Sequence, residues 1–441
     1  MSRTTQNAAI DLSIIIPSKN EGPNLDALLP ALQEALRELD IHAEILVVDA
    51  ASDDGAPDIV ASHGARYLAE QGTGYGNAIL TGARHALGRY ILTMDADHSH
   101  PARFISDLWH ARERADLIIA SRYTVGGSAD QPFIRLCLSK LLNAFFRIGL
   151  DLPASDLSSG FRLYHSRVFR RFEPKYTSFV MLVEVLLHAL RDGRDVAEIP
   201  FQYAPRDHGV SNARVILFGI EYCRLFHQMW RIRNSCTFPD YDWRAYRSRI
   251  PLQRWWHHRR VHHILRFTAG ELPLIDVGCG SSRILGMLPP GAVGVDMHLG
   301  KLRFQRRSGK PRLQADGCRL PFADATVGTI VNSQVIEHIP DEGGALLDEF
   351  ARVLRPGGEL IIGTPDYGRW EWRVTEWVYD RVVPDAYGQE HVNPYTFETL
   401  TSALRARGFE ILDHAYIARG ELIVKARKHG DPVGDIDAMA I

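Results

Sequence analysis

Two successive series of short apolar runs, each run followed by a stretch with helical spacing, dominate this 441-residue chain. In the first series, Leu12 to Pro17 (LSIIIP), Glu44 to Asp49 (EILVVD), Tyr90 to Asp95 (YILTMD) and Asp116 to Ser121 read as strands. Pro23 to Leu39 lies between the first two with helical spacing and a proline near its start. A second series opens at Pro273 to Gly280 (PLIDVGCG). It runs on through Gly291 to Asp296, Gly328 to Gln334, a helix near Gly344 to Leu354, and Gly358 to Thr364. Alternation of this kind predicts largely parallel α/β sheets. The chain is also too long for one ordinary core, so the expected fold class is α/β with two domains.

Between Arg231 and Phe267 strand periodicity stops, and arginine, histidine and tryptophan crowd together, as in Pro251 to Phe267 (PLQRWWHHRRVHHILRF). The expected organisation is a first domain over residues 1–230, a basic and aromatic linker with a helix over 231–265, a second domain over 266–428 and a loose tail over 429–441. Two readings of the basic stretch stand side by side. It is a helix with a solvated basic face, or a surface for anionic phospholipid or a phosphorylated substrate.

Charge and composition exclude some classes. Lys plus Arg number 51 against 53 Asp plus Glu, a balance that gives no case for nucleic-acid binding. The five cysteines form no CxxC pair and have no metal-ligand spacing, which suits thiols in a reducing compartment. The polar N-terminus lacks an apolar signal region, and no apolar run reaches the ~18–20 residues a membrane span needs.

The most informative segment is Asp95 to Pro101 (DADHSHP). At an extended strand end, residues i and i+2 point the same way, so Asp95 and Asp97 converge while Ala96 turns aside. Two hard oxygen ligands so placed suit Mg2+ or Mn2+ bridging a diphosphate, and the ion would neutralise charge on a departing nucleoside diphosphate. Around this pair, in order, stand IIIPSKNEGPNL (Ile14 to Leu25), VVDAASDDG (Val47 to Gly55), GTGYGNA (Gly72 to Ala78), ASRY (Ala120 to Tyr123) and SSGFRLY (Ser158 to Tyr164). The set resembles family 2 glycosyltransferases of the GT-A fold, most closely the dolichyl- or polyprenyl-phosphate mannose and glucose synthases, over about residues 11 to 215.

That resemblance implies an inverting transfer of a hexose from a nucleotide-diphosphate sugar to a polyprenyl-phosphate acceptor. Pro17, Asn20 and Glu21 would line the nucleotide pocket, Asp49 would reach the base, and Asp95 and Asp97 would hold the metal and diphosphate. Arg122, Arg162 and Arg206 match family arginines that bind phosphates. A lipid phosphate is already an anion and needs no strong general base. A sugar hydroxyl acceptor would need a carboxylate, with Asp156 and Glu184 the candidates. The chain departs from the family at Asn212 in GVSNAR (Gly209 to Arg214), where a lysine is usual, with Arg214 nearby as a substitute, and at Ala50, where an acid is usual. Phe133 to Leu150 is strongly apolar with Lys140 and Arg147 seven apart, and reads either as a core helix or as one lying in a membrane interface.

In the second series, LIDVGCGSSR (Leu274 to Arg283) takes a strand into a glycine loop, with Arg283 where a dinucleotide fingerprint needs its third glycine. Asp296 ends the next strand, where a carboxylate accepts from ribose hydroxyls, and Asp316 is set to take an adenine amino group. With NSQVIEHI (Asn332 to Ile339) and RVLRPGGELII (Arg352 to Ile362), the order resembles class I S-adenosylmethionine-dependent methyltransferases from about Arg266 to Lys428. The resemblance implies that Gly278, Gly280, Asp296 and Asp316 bind S-adenosylmethionine. His338 and His391 are candidate bases or structural histidines, and the aromatic stretch Tyr367 to Asp380 is a candidate lid or surface packing.

The expectation is therefore a bifunctional, cytoplasmic enzyme, peripheral on the inner face of the membrane. Two alternatives remain open: a family 2 enzyme elongating a saccharide, and a non-catalytic glycosyltransferase-like module serving an active methyltransferase.

Overall fold

The computed structural model describes residues 9–130, 133–203, 215–268, 272–340, 344–382 and 391–430. The chain divides into two compact units, Met1–Trp230 and Arg231–Ile441.

In the first unit, Leu12–Ser18 (β1), Ala43–Asp49 (β2), Arg66–Ala69 (β3), Tyr90–Thr93 (β4), Leu117–Ser121 (β5), Arg162–His165 (β7) and Val196–Pro200 (β8) make one sheet in the order β3-β2-β1-β4-β7-β5-β8. Ser128–Ala129 (β6) and Gln202–Tyr203 (β9) pair separately. Among the described strands of the main sheet only β7 runs antiparallel, against both β4 and β5. The strand β1 is apolar at consecutive positions Ile14, Ile15 and Ile16 because both of its faces are covered. Ile14 and Ile16 pack with Val47 and Leu92 against helix Gly22–Glu38, while Ile15 packs with Leu46, Val48 and Ile91 on the opposite face. This doubly wound order puts the carboxyl ends of β1, β2 and β4 along one edge, with Ser18 beside Asp49 and Ile15 beside Thr93.

In the second unit, Leu274–Val277 (β10), Val293–Asp296 (β11), Arg312–Gln314 (β12), Val327–Ser333 (β13), Leu354–Pro365 (β14), Phe409–Ile417 (β15) and Glu421–Lys428 (β16) form the sheet β12-β11-β10-β13-β14-β16-β15. The first five strands are parallel, and β16 is antiparallel to both β14 and β15. The expected two-domain α/β class is what the chain adopts.

The basic and aromatic stretch contains the helix expected there. Tyr241–Tyr246 and Pro251–Phe267 are helices, and Val261, Ile264 and Phe267 lie in the second unit's core. Arg260 on the longer helix grips Glu421, which is fully buried, with Nε to Oε1 at 2.6 Å and an η nitrogen to Oε2 at 2.7 Å. Among the described residues no helix is long and apolar enough to cross a membrane.

Candidate functional site

The chain beyond β4 turns sharply after Thr93, and the turn carries both acids. Ala96 drops into the core, Asp95 keeps part of its side chain exposed, and Asp97 is buried. Asp97 Oδ1 accepts from the Ser99 hydroxyl at 2.5 Å and the Ser99 amide at 3.2 Å. The Asp95 amide donates to His100 Nδ1 at 2.9 Å, and His98 sits between them at φ +60°, a conformation a histidine adopts only at a cost. The loop 158–160 closes against this turn, with Thr93 donating to the Gly160 carbonyl at 2.6 Å. Position 160 must be glycine: a Cβ there would come within 2.4 Å of the Tyr75 hydroxyl and 3.4 Å of Asp95 Oδ1. Tyr75 is stacked on Phe179, and burial with the Asp95 charge beside it holds its phenol well above the usual range.

On the same edge, the loops after β1 and β2 are tied together. The Asn20 amide donates to the Ser52 hydroxyl at 2.7 Å, and the Gly22 amide to Asp54 at 2.6 Å. Glu21 accepts from the Asn24 side chain at 2.5 Å, and Pro17, the sixth residue of β1, stands next to Val48. Asp49 is buried and accepts from Ser52 through both oxygens and from the Tyr67 hydroxyl at 3.2 Å. Its carboxylate therefore organises the turn rather than facing outward.

Two of the arginines expected to bind phosphate are engaged within the protein. Arg162 is fully buried, and its guanidinium donates to the carbonyls of Ser159, Leu182 and Leu157, each at 2.7 Å. All the donating nitrogens of the fork are used, so Arg162 clamps the loop 157–160 instead of contacting a ligand. Arg122 makes a bidentate pair with Asp156 at 2.7 and 2.8 Å and also donates to Ser158. Arg206 and the segment Gly209 to Arg214 lie outside the described residues.

Neither carboxylate considered as a base for a hydroxyl acceptor has the environment of one. Asp156 is fully buried; burial raises its pKa, but hydrogen bonds and charge from Arg122 outweigh this and hold it below the carboxylate range. Glu184 is raised by burial, yet both its oxygens receive the amides of Lys175 and Tyr176, at 3.0 to 3.2 Å.

The second unit contains a cavity of about 480 Å³ at the ends of β10, β11 and β13. Gly278 (φ +72°) makes the turn that opens it, and a Cβ there would lie 2.2 Å from a Val335 methyl. Asp296 takes the Gly280 amide at 2.9 Å and the His298 amide at 2.8 Å, and Asp316 caps the Cys318 amide at 2.9 Å, both residues lining the cavity.

Sequence reasoning passed over several lining residues. Asp276 is buried, its Oδ2 has no hydrogen-bond partner among the described residues, and burial plus the Asp296 charge pushes its carboxyl up to about 8. A lone acid inside the apolar strand LIDV was the available signal. Asp242, from the short helix Tyr241–Tyr246, bonds Ser281 of the glycine loop. His257 and Arg260 extend the wall from the basic helix, where burial and Arg260 push the His257 imidazole down to about 3.

His338 lines the cavity, and His391 lies beside it with ring centroids 4.9 Å apart. Burial, then the His338 charge, pushes His391 down to about 3, while burial pushes the adjacent Glu337 up to about 8. Of the aromatic stretch, helix Trp370–Val382 turns Trp372 inward against His391, and Trp370 and Trp377 stay exposed.

Among known proteins, residues 13–172 match the glycosyl transferase family 2 model, and residues 275–362 match a methyltransferase domain model. The chain is similar to polyprenol monophosphomannose synthase of Mycolicibacterium smegmatis, at 32% identity over 227 residues, spanning 47% of this chain and 84% of that protein. It is also similar to dolichol-phosphate mannosyltransferase of Pyrococcus furiosus, at 31% identity, spanning 46% of this chain and 59% of that one. Among solved structures, glucosyl-3-phosphoglycerate synthase of Mycobacterium tuberculosis with Mn2+ and UDP is similar at 16% identity and a TM-score of 0.40, over 53% of this chain and 83% of that chain.

Proposed function

The chain belongs to glycosyltransferase family 2 through its first unit and carries a methyltransferase domain in its second, and from that premise we propose that it is a bifunctional transferase acting at a membrane surface. The first unit moves a hexose from a nucleotide-diphosphate sugar to a polyprenyl phosphate with inversion. The second transfers a methyl group from S-adenosylmethionine to that sugar or a related glycan.

For the first reaction the carrying observation is the turn that presents Asp95 and Asp97 beside the tied loops after β1 and β2. Two carboxylates in one turn fit a hard divalent ion such as Mg2+ or Mn2+, which would supply charge neutralisation for the leaving diphosphate. Asn20, Glu21 and the turn organised by Asp49 would form the nucleotide side, with Pro17 behind them. Arg122 and Arg162 act as positioning residues, because they hold the 156–160 loop against Asp95. An acceptor that arrives as an anion supports this reading further, since Asp156 and Glu184 are committed to internal donors. Work of this kind is positioning and charge stabilisation. On helix Phe133–Gly149, Leu138, Leu141, Phe145 and Ile148 are exposed at successive turns of one face, which supports contact with lipid. Incubation with labelled nucleotide sugars and polyprenyl phosphate, followed by solvent partition, tests the reading. Label in the organic phase is expected; label confined to the aqueous phase overturns it in favour of a saccharide acceptor.

For the second reaction the donor set fits a sulfonium cofactor with an amino-acid end. Asp276 Oδ2 offers an unpartnered acceptor to an ammonium, the Gly278 turn leaves no room for a side chain, and Asp296 and Asp316 stand where ribose and adenine would be read. The bound cofactor supplies an electrophilic methyl; the residues of the cavity orient it and exclude water.

A further inference from the structure

Glu337 and His338 follow β13 in the short turn Ile336–His338, and His391 comes from 53 residues further along the chain. Their ligand atoms all lie within 4.8 Å of one another. We propose that Glu337, His338 and His391 hold a divalent cation in the wall of the second unit's cavity, with its remaining coordination positions open to the cavity.

Three features support a built site. Glu337 is fully buried, and while its Oε2 accepts from the Thr364 hydroxyl at 3.2 Å, its Oε1 has no partner among the described residues. A buried carboxylate oxygen left in this state costs stability unless something binds it. Second, the histidine is oriented from behind. Tyr367 donates its hydroxyl proton to Glu376 at 2.7 Å, so its oxygen accepts from His391 Nδ1–H at 2.6 Å. That chain fixes the tautomer with the Nε2 lone pair as the ligand atom, the arrangement in which an outer carboxylate orients a metal-binding imidazole. Third, the backbone holds the two segments in register: the Glu337 carbonyl accepts the amides of Val392 and Asn393 at 2.9 and 3.1 Å, and the Asn393 side chain donates to the Ile339 carbonyl. His338 itself lines the cavity.

Two imidazoles and one carboxylate suit a borderline ion such as Zn2+, Co2+ or Mn2+, and three protein ligands with an open position make the kind of site that also receives a substrate oxygen. Ligand atoms around a tetrahedral ion stand ~3.3 Å apart, so a cluster within 4.8 Å contracts by about 1.5 Å at most to close on one. On the methyltransferase reading proposed above, on which this last statement rests, the open positions take a hydroxyl oxygen of the methyl acceptor.

Cobalt is the probe. The full-length chain is stripped with chelator and titrated with Co2+ while visible absorption and bound cobalt are measured. Intense d–d bands from a nitrogen-containing, low-coordinate site are expected, and they are to persist in Asp97→Asn, which removes a ligand only in the first unit. His391→Asn and Glu337→Gln are expected to abolish the bands or weaken cobalt binding at least tenfold. No bands in the parent, or unchanged bands in His391→Asn, overturns the proposal. If Glu337→Gln fails to fold, His338→Asn replaces it, with circular dichroism reporting the fold. Calorimetric titration with S-adenosylhomocysteine separates the two readings: cobalt bound without the nucleoside sinks the methyltransferase reading alone, and the nucleoside bound without cobalt sinks the metal site alone.

Discussion

Replacing Asp276 by asparagine is expected to change how the second unit's stability depends on pH. Burial, and secondarily the charge of Asp296, raise the Asp276 carboxyl from 3.8 to about 8. The folded protein therefore keeps this proton across a pH range in which the unfolded chain has lost it. With more protons bound in the folded state, stability falls as pH rises. The contribution is fully present below about pH 4 and is lost as pH rises through the folded value near 8. Each pH unit between those limits is worth ~1.4 kcal/mol, so the window from 4 to 8 removes on the order of 5 kcal/mol that Asp276→Asn, which mimics the neutral acid, does not lose. The assay is urea unfolding of the full chain at a series of pH values, read by tryptophan fluorescence. Six of the eight tryptophans (Trp243, Trp255, Trp256, Trp370, Trp372 and Trp377) belong to the second unit and report its transition. The variant should match the parent near pH 4 or fall slightly below it, and be the more stable of the two near pH 8. Parallel pH profiles would refute the argument, because they would mean that the carboxyl carries no proton in the folded state. A ligand that brings an ammonium to Oδ2 pulls the carboxyl back down, so binding S-adenosylmethionine should release a proton, visible calorimetrically in buffers of different ionisation enthalpy.

Other expectations follow from the same geometry. Asp95→Asn and Asp97→Asn should each lower sugar transfer by two orders of magnitude or more with thermal stability nearly unchanged, the several kcal/mol expected from weakening a charge-neutralising ion, measured as labelled product per time. Arg162→Met removes three hydrogen bonds to carbonyls in the core and should cost about 3 kcal/mol or more, read as a lower urea midpoint for the first unit. Gly278→Ala places a methyl within 2.2 Å of Val335 at a positive φ and should weaken S-adenosylhomocysteine binding at least tenfold, with sugar transfer unaffected. Glu421→Ala removes the bidentate partner of Arg260 and should destabilise the second unit by about 3–5 kcal/mol, seen in the same fluorescence transition.

The architecture was legible because both sheets are built from strands with predominantly apolar runs, as in LSIII and LIDV, and each strand is local. The pair Asp95 and Asp97 was legible for the same reason: two residues apart, they share a turn whatever the rest of the chain does. Pairings across the sequence were not. Arg122 meets Asp156 at a separation of 34 residues and Arg260 meets Glu421 at 161, and no spacing rule predicts either. Arg162 illustrates the consequence: the resemblance implied a phosphate-binding arginine, yet its partners are three carbonyls. The stretch Pro251–Phe267 left a solvated helix and an anionic surface both open because its buried side mixes apolar residues with His257 and Arg260, which face a polar cavity and so blur the helical period.

Three buried acids show why environment, more than motif, assigns the chemistry here. Asp156, Asp276 and Glu337 are each almost wholly removed from water, and burial raises the pKa of all three. For Asp156 the bidentate fork of Arg122 overcomes that penalty and the carboxyl ends below its ordinary value, an anion that holds a loop and is too weakly basic to take a proton from a sugar hydroxyl. Among the described residues Asp276 and Glu337 have no such fork, and both carboxyls rise to about 8. Each leaves one oxygen without a hydrogen-bond partner among the described residues. An ammonium suits Asp276, whose strand end opens on the glycine loop; a metal ion suits Glu337, which has two imidazoles beside it. Asp156 is completed by an internal arginine, whereas Asp276 and Glu337 are left to be completed by what binds.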